Sequence, residues 1–502
     1  MKRFWLFILL VLSLVGLVAC KGTTTDPNGN GNGNGNGNGN GNGNNEQEIE
    51  EKYDLGGMDF NIRCNIANRA DPRNPEYERM YRNEKMRNIQ KVEEKYNIKV
   101  NYLNYPGNAT WGSARDNWII QQAQQGLTDS HVFEVSSNSV ANLAVQGAIL
   151  PLDDLITKYG HPGYWQKKRD FGTILGKNYV YDDVYSVAEE GIFYNSELLG
   201  RVLGENRKLE PTKLWLEGKW TWQKFAELAQ EINAELDHTG ENPYYVMGGR
   251  TYDWFYPMVG TNGGTIVDSN FQSHLTDEAT LETLEFLNSL RTVDGMWVDE
   301  APRERALQPE FTAERVVFHC GADWYLTISS HWGGLEFDVD FVPFPVGPRA
   351  QQDPTLYSQS KVKSEPAFVI SSAFSKDKVP EGYENMLLHD EIIFKIWSEI
   401  IHFPDIDPET GESSIEDLKD NYYATRLLPN YAHEESRIAH LDIWASAKVD
   451  HFYSITESQA HTAESYMFKI EEAIRNGDIR QKMTSINNEL QSTLDTKLLG
   501  KG

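Results

Sequence analysis

Met58-Asp59-Phe60-Asn61-Ile62-Arg63-Cys64 and, further along, Ile98-Lys99-Val100-Asn101-Tyr102 are the two segments on which the reading of this chain turns. Each alternates apolar and polar residues at period two, the pattern of a half-buried strand. Between them Pro72 and Pro75 punctuate a loop. Ile89, Val92 and Tyr96 then stripe a helix expected to begin near Glu76. Strand, helix and strand in that order predict a βαβ unit, and therefore a parallel sheet.

Reading outward, the alternation continues. A helix is expected over 113–125 with a stop at Gly126, a strand over 131–135, and a helix over 140–145 stopped at Gly147. Beyond Tyr179 come a strand over 191–194, a helix over 222–232 capped by Thr221, and one over 277–293 capped by Thr276. Trp222, Phe225, Leu228 and Ile232 line one face of the first of these, and Leu281, Leu284, Leu287 and Leu290 one face of the second. Strands over 315–319, 339–342 and 367–371 follow, interrupted by a proline-rich stretch from Pro343 to Pro354. The remainder to Leu499 reads as helical, its last helix striped by Ile479, Met483, Ile486, Leu490 and Leu494. A body of about 450 residues exceeds what one core usually organises, so two α/β lobes are expected.

The amino end reads Lys2-Arg3, an apolar run from Phe4 to Ala19, then Cys20. The run is shorter than the roughly 20 residues of a membrane-spanning helix and ends on small residues, as a signal peptide does. Leu17-Val18-Ala19-Cys20 resembles a bacterial lipobox, which implies cleavage before Cys20, lipidation of that cysteine, and anchoring on the outer face of the cytoplasmic membrane. From Gly29 to Asn44 glycine and asparagine alternate. Residues 21–52 are therefore expected to be a flexible linker with a reach of roughly 30 Å.

The net charge of −27 disfavours nucleic acid and anionic lipid as partners. Besides Cys20 only Cys64 and Cys320 remain, too few for a disulfide framework or a zinc site. Nucleophile-elbow, HExxH, Walker and GxGxxG motifs are all missing, so no cofactor and no catalytic residue is expected. Asp405, Asp407, Glu409 and Glu416 fall at the offsets of a calcium loop, but glycine is displaced to Gly411 and Pro408 intrudes; a plain acidic turn is the simpler reading.

Several segments in order resemble the extracellular solute-binding proteins of carbohydrate ABC importers, the family that includes maltose-binding protein. They are Ala148-Ile149-Leu150-Pro151-Leu152-Asp153-Asp154-Leu155, Ile192-Phe193-Tyr194-Asn195-Ser196-Glu197-Leu198-Leu199, Thr221-Trp222-Gln223-Lys224-Phe225, Asn262-Gly263-Gly264, Phe311 to Phe318 leading to Gly321-Ala322-Asp323-Trp324, and Val342-Pro343-Phe344-Pro345. The opening helix is longer than usual and Tyr185-Ser186 replaces the common Tyr-Gly. The resemblance implies an α/β, two-lobed, periplasmic-binding-protein-like fold of type II, with a ligand cleft between lobes joined by several crossings. It apportions 53–185 and 351–415 to the first lobe and 186–350 and 416–502 to the second. It also implies a monomer that hands a small molecule, a carbohydrate, to an ABC permease, with Cys64 and Cys320 in different lobes and unpaired.

A neutral sugar offers apolar C–H faces and a ring of hydroxyls, so its site needs aromatic platforms and hydrogen-bonding side chains. Within Thr251 to Tyr256, a segment expected as a loop, Asp253 and Trp254 are the first choice, with Tyr252 beside them, although Trp254 and Phe255 are also natural core residues. Trp324 is the tryptophan that the family places toward the cleft, and Asp323 either contacts ligand or caps a helix. Glu190 lies at a crossover. Arg69 and Asn138 follow strands of the first lobe, where parallel sheets bind ligands, although Asn138 is also a natural helix cap. Trp111 and Tyr357 complete the stacking candidates. A peptide or other polar solute, or a surface glycan hydrolase, are the competing functions.

Overall fold

β1 (Met58–Cys64) is followed by α1 (Arg82–Tyr96) and β2 (Ile98–Asn104), and the two strands pair in parallel from Met58 opposite Ile98 to Cys64 opposite Asn104. This is the βαβ unit that the alternation predicts. The computed structural model describes residues 54–77, 79, 81–161, 172–182, 187–298, 309–329, 331–361, 366–375, 390–401, 415–452 and 466–500. The chain divides into two units, 1–51 and 52–502, and every described residue belongs to the second. The expectations for the signal peptide, Cys20, the linker, Tyr185-Ser186 and the acidic positions Asp405, Asp407 and Glu409 lie outside the described residues. α1 begins at Arg82 rather than near Glu76. Tyr81, just ahead of it, sits at φ 58°, a left-handed conformation that a right-handed helix does not propagate through.

α2 (Gly112–Gln124) leads through Gly126, at φ 65°, into β3 (Val132–Ser136), which lies parallel to β1. α3 (Val140–Val145) then packs on α2 and ends before Gly147. Ile89, Val92 and Tyr96 are all buried in the core beneath this sheet, as their spacing requires.

The second lobe opens with β4 (Glu190–Asn195) and α4 (Trp222–Glu235), whose cap Thr221 accepts the Lys224 N–H as expected. β5 (Tyr245–Gly248) runs into α5 (Thr251–Thr261), and α6 (Glu278–Arg291) follows. The cap position of α6 is Asp277, not Thr276, and no side chain closes it. β6 (Val316–Ala322) and β7 (Val339–Val342) complete a four-stranded sheet in the order β5-β6-β4-β7, in which β5 and β6 are parallel and β4 is antiparallel to both its neighbours. The residues Trp222, Phe225, Leu228 and Ile232 of α4 are buried in its largest apolar cluster.

The proline-rich segment stays with this second lobe past the expected return at 351. Arg349 pairs with Glu282 of α6, and β8 (Gln359–Lys361) pairs in parallel with β10 (Ala447–Val449), a strand inside the stretch read as helical. Only with β9 (Pro366–Ile370) does the chain rejoin the first sheet, antiparallel to β3, giving the order β9-β3-β1-β2. α7 (Asp390–Ile400) buries Ile393, Phe394 and Trp397 against that sheet. α8 (Glu434–Ile443), α9 (Tyr466–Asn476) and α10 (Ile479–Lys497) return to the second lobe, and the five apolar positions read in the last helix are all buried. Cys64 ends a strand of one sheet and Cys320 lies within a strand of the other, and no disulfide joins them. Among the described residues no helix is long and apolar enough to cross a membrane.

Candidate functional site

Covalent geometry marks the site. Residues 183–186 join Asp182 to Val187, and residues 362–365 join Lys361 to Pro366, so each crossing spans at most roughly 17 Å. On the first-lobe side both are anchored at one end of the sheet: Pro366 lies opposite Ser136, the last residue of β3, and Asp182 accepts the Phe368 N–H. On the second-lobe side Ala188 donates to Trp444, the Glu189 carbonyl accepts from the Asp323 N–H at 3.0 Å, and Glu190 lies opposite Ala322, the last residue of β6. The carboxyl ends of β3 and β6 therefore both abut the crossings, the position where parallel strands present ligand-binding loops. Tyr81 of the first lobe packs on Val187, Leu418 and Trp444 beside them.

On the second-lobe face, Gly249 turns the chain at φ 92°, and a Cβ there would stand 2.6 Å from the Cys320 sulfur. The turn aims Arg250 at Asp253, Nε to Oδ2 at 2.9 Å and Nη2 to Oδ1 at 3.2 Å, with the guanidinium 4.2 Å from the Tyr252 ring centroid. Burial works against the Arg250 charge, but the Asp253 carboxylate beside it raises its pKa nonetheless. Asp253, a first-choice ligand contact, is thus committed to an ion pair. Tyr252 is buried between Arg250 and the edge of Phe468.

Trp254 corrects the other first choice. It is 0% exposed, its indole N–H donates to the Gly248 carbonyl at 2.9 Å, and Phe225, Trp297 and Phe344 surround it. The segment expected as a loop is the first turn of α5, and helical periodicity turns Trp254 into the core. Trp324 follows β6 in a 3₁₀ turn, half-buried, edge-on to Tyr325 at 4.4 Å and 5.1 Å from His331.

Asp323 neither caps a helix nor reaches the surface. It is 1% exposed, and Oδ2 accepts the Tyr422 hydroxyl at 2.9 Å, while Oδ1 is buried without a partner. Tyr422 in turn lies 3.3 Å from His440 Nε2, which meets the Ala188 carbonyl at 2.7 Å, and Tyr431 lies 2.7 Å from Nδ1. This buried polar chain behind the crossing was not foreseen. Glu190 is half-buried at the start of β4. Tyr357 is also half-buried, donating to the Phe344 carbonyl at 3.2 Å and facing Trp215 at 5.7 Å.

On the first-lobe face, Arg69 stands exposed on a helical turn, Ala67–Ala70, that follows β1. Asn138 is buried in the 3₁₀ turn after β3, and no side chain caps α3; both readings of this residue give way to packing. Trp111 is 55% exposed at the head of α2. Beneath it lies Arg115, also overlooked, although its spacing of four from Ile119 and of eight from Ala123 puts it on the buried face of α2. Among the described residues no group of three or more His, Cys, Asp or Glu could hold a metal ion.

Two α/β lobes, crossed more than once by the chain and presenting aromatic and polar groups beside the crossings, define a solute-binding protein. The chain belongs to the bacterial extracellular solute-binding protein family, whose model matches residues 84–351, and it acts outside the cytoplasm with ABC transporters. Its fold is similar to that of the cyclic alpha-maltosyl-1,6-maltose binding protein from Arthrobacter globiformis, at TM-score 0.57 and 14% identity over 88% of this chain and 100% of that one. It is similar too to the sugar-binding protein MalE from Xanthomonas citri, at 0.55 and 14% over 88% and 98%. UgpB from Mycobacterium tuberculosis, solved with glycerophosphocholine, matches at 0.50 and 15% over 88% and 99%. No curated protein matches. These identities carry the fold and leave the ligand to the site residues.

Proposed function

We propose that this chain is the substrate-binding component of an ABC importer that takes a neutral mono- or oligosaccharide between its lobes and delivers it to a membrane permease without transforming it. The observation that carries the reading is the pair of accessible tryptophans flanking the crossings, Trp111 at the first-lobe edge and Trp324 at the second. Exposed indole beside amides and hydroxyls is the arrangement a sugar ring requires, apolar against its C–H face and polar around its rim. Closure would follow from the ligand's contacts with both faces, since binding favours whichever lobe arrangement it can bridge. In this reading the protein works as a monomer, tethered at Cys20 by lipid and a linker, and carries no cofactor.

Calorimetric titration of the mature protein with mono- and oligosaccharides, polyols and short peptides tests the proposal. Saturable binding of a sugar with no turnover is expected. Binding of peptides alone, or hydrolysis of a glycan, would replace it with one of the competing functions.

A further inference from the structure

Arg115 is 0% exposed, yet neither of its hydrogen bonds goes to a carboxylate, and the adjacent Asp116 acts on it as a nearby charge. Its Nη1 donates to Asn65 Oδ1 at 2.7 Å and its Nη2 to Ser136 Oγ at 2.8 Å, while Nε is buried without a partner. Its guanidinium lies 5.3 Å from the Trp111 ring and 5.8 Å from that of Tyr105. A buried charge whose hydrogen bonds both end on neutral oxygens is expensive, and an apolar residue at this helix position would pack at less cost.

What the charge achieves is direction. Arginine only donates, so it consumes acceptor capacity on whatever it touches. With Oδ1 of Asn65 turned toward Arg115, the amide NH₂ of that half-buried residue must face away from it. Ser136, 3% exposed, fixes the other arm of the guanidinium and so the plane in which Asn65 is met. Asn65 directly follows β1 and Ser136 ends β3, so one guanidinium spans the carboxyl ends of two adjacent parallel strands and underlies the exposed Trp111.

We propose that Arg115 is the positioning residue of the first-lobe half-site, presetting the half-buried Asn65 as a hydrogen-bond donor beside the Trp111 platform for an acceptor oxygen of the ligand, with the buried Ser136 holding the other arm of the guanidinium. Arg115 touches no ligand itself. The inference rests on the carbohydrate reading only for the class of ligand, whose hydroxyl or ring oxygens are such acceptors.

The deciding variant is Asn65→Asp. It supplies Arg115 with a hydrogen-bonded counter-charge, so the melting temperature should stay at or above that of the parent; Glu134, which accepts the Asn65 backbone N–H at 3.3 Å, is already neutralised by Arg79 at 2.8 Å. The same change removes the donor, and affinity should fall by about tenfold or more. Arg115→Lys keeps the charge but cannot bridge both partners, and should weaken binding by about fivefold in a protein that still folds.

The probe is whichever of maltotriose, cellotriose, xylotriose or trialanine binds the unmodified protein. If trialanine alone binds, the carbohydrate reading fails while the two variants still decide the role of Arg115. Unchanged affinity in Asn65→Asp, or a lowered melting temperature, overturns the inference.

Discussion

Arg250 and Asp253 close an ion pair across the first turn of α5, Nε to Oδ2 at 2.9 Å, with side chains only 19% and 10% exposed. The pair sits on the flank of the Gly249 turn and holds the guanidinium over Tyr252. Asp253→Asn would strand a nearly buried cation, and an unfolding stability loss of about 2–3 kcal/mol is expected by denaturant titration. A ligand contact would show the opposite signature, weakened binding in a protein of parental stability.

The two tryptophans should separate cleanly. Trp254→Ala removes a fully buried indole and its hydrogen bond, a loss of about 3–5 kcal/mol, with the affinity of the folded fraction preserved. Trp324→Ala should leave the thermal midpoint nearly unchanged and weaken sugar binding by about tenfold. Fluorescence titration and thermal melts on both variants check this, and an affinity loss confined to Trp254→Ala would reverse the assignment.

Stability should fall as pH is lowered. Burial depresses His131 to about 3 and His319 to about 4, the former between the rings of Phe60 and Phe374. Above pH 6.5 both are neutral in the folded and unfolded states. Below it the unfolded chain takes up protons that the fold refuses, so stability is lost as the pH falls from 6.5 to about 4, on the order of 3 kcal/mol per histidine over those roughly 2.5 units. Asp116 acts in the opposite sense: burial pushes it up to about 6, so the fold tolerates its protonated form better and gains between pH 6 and 4. Asp116→Asn should therefore raise the melting temperature at pH 7.5 and steepen the acid decline. A variant less stable than the parent at pH 7.5 would show that the charged form is favoured in the fold.

Cys64 and Cys320 should be unreactive toward a thiol reagent in the native protein and both reactive once it is unfolded. They are 0% and 2% exposed, and burial raises the Cys64 thiol well above its ordinary pKa. Counting thiols in a Cys20→Ser variant reads this directly, and fewer than two would mean that they are bridged.

Periodicity made the elements legible. The period-two runs became β1 and β2, and the stripes of α1, α4 and α10 all turned out buried, because burial of one face is a local consequence of residue order. The site was legible only in part. Trp324 lies where its strand ends, and strand ends follow from local pattern. Trp254 and Asp253 were misread because six residues rich in aromatics carry no period long enough to tell a helix from a loop. Their helical register depends on the Gly249 turn and on Phe225, Phe344 and Trp297, residues distant in the chain.

The order of residues alone determined that the chain makes α/β lobes, the first opening on a parallel βαβ unit, and is rich in groups able to grip a polar ring. Which of those groups are accessible and which are packed away was decided only in three dimensions. Arg115 gains its meaning from Asn65, fifty positions earlier, and Ser136, twenty-one later. A side chain's exposure and hydrogen-bond direction are set by neighbours that the fold brings together, and no local pattern encodes them.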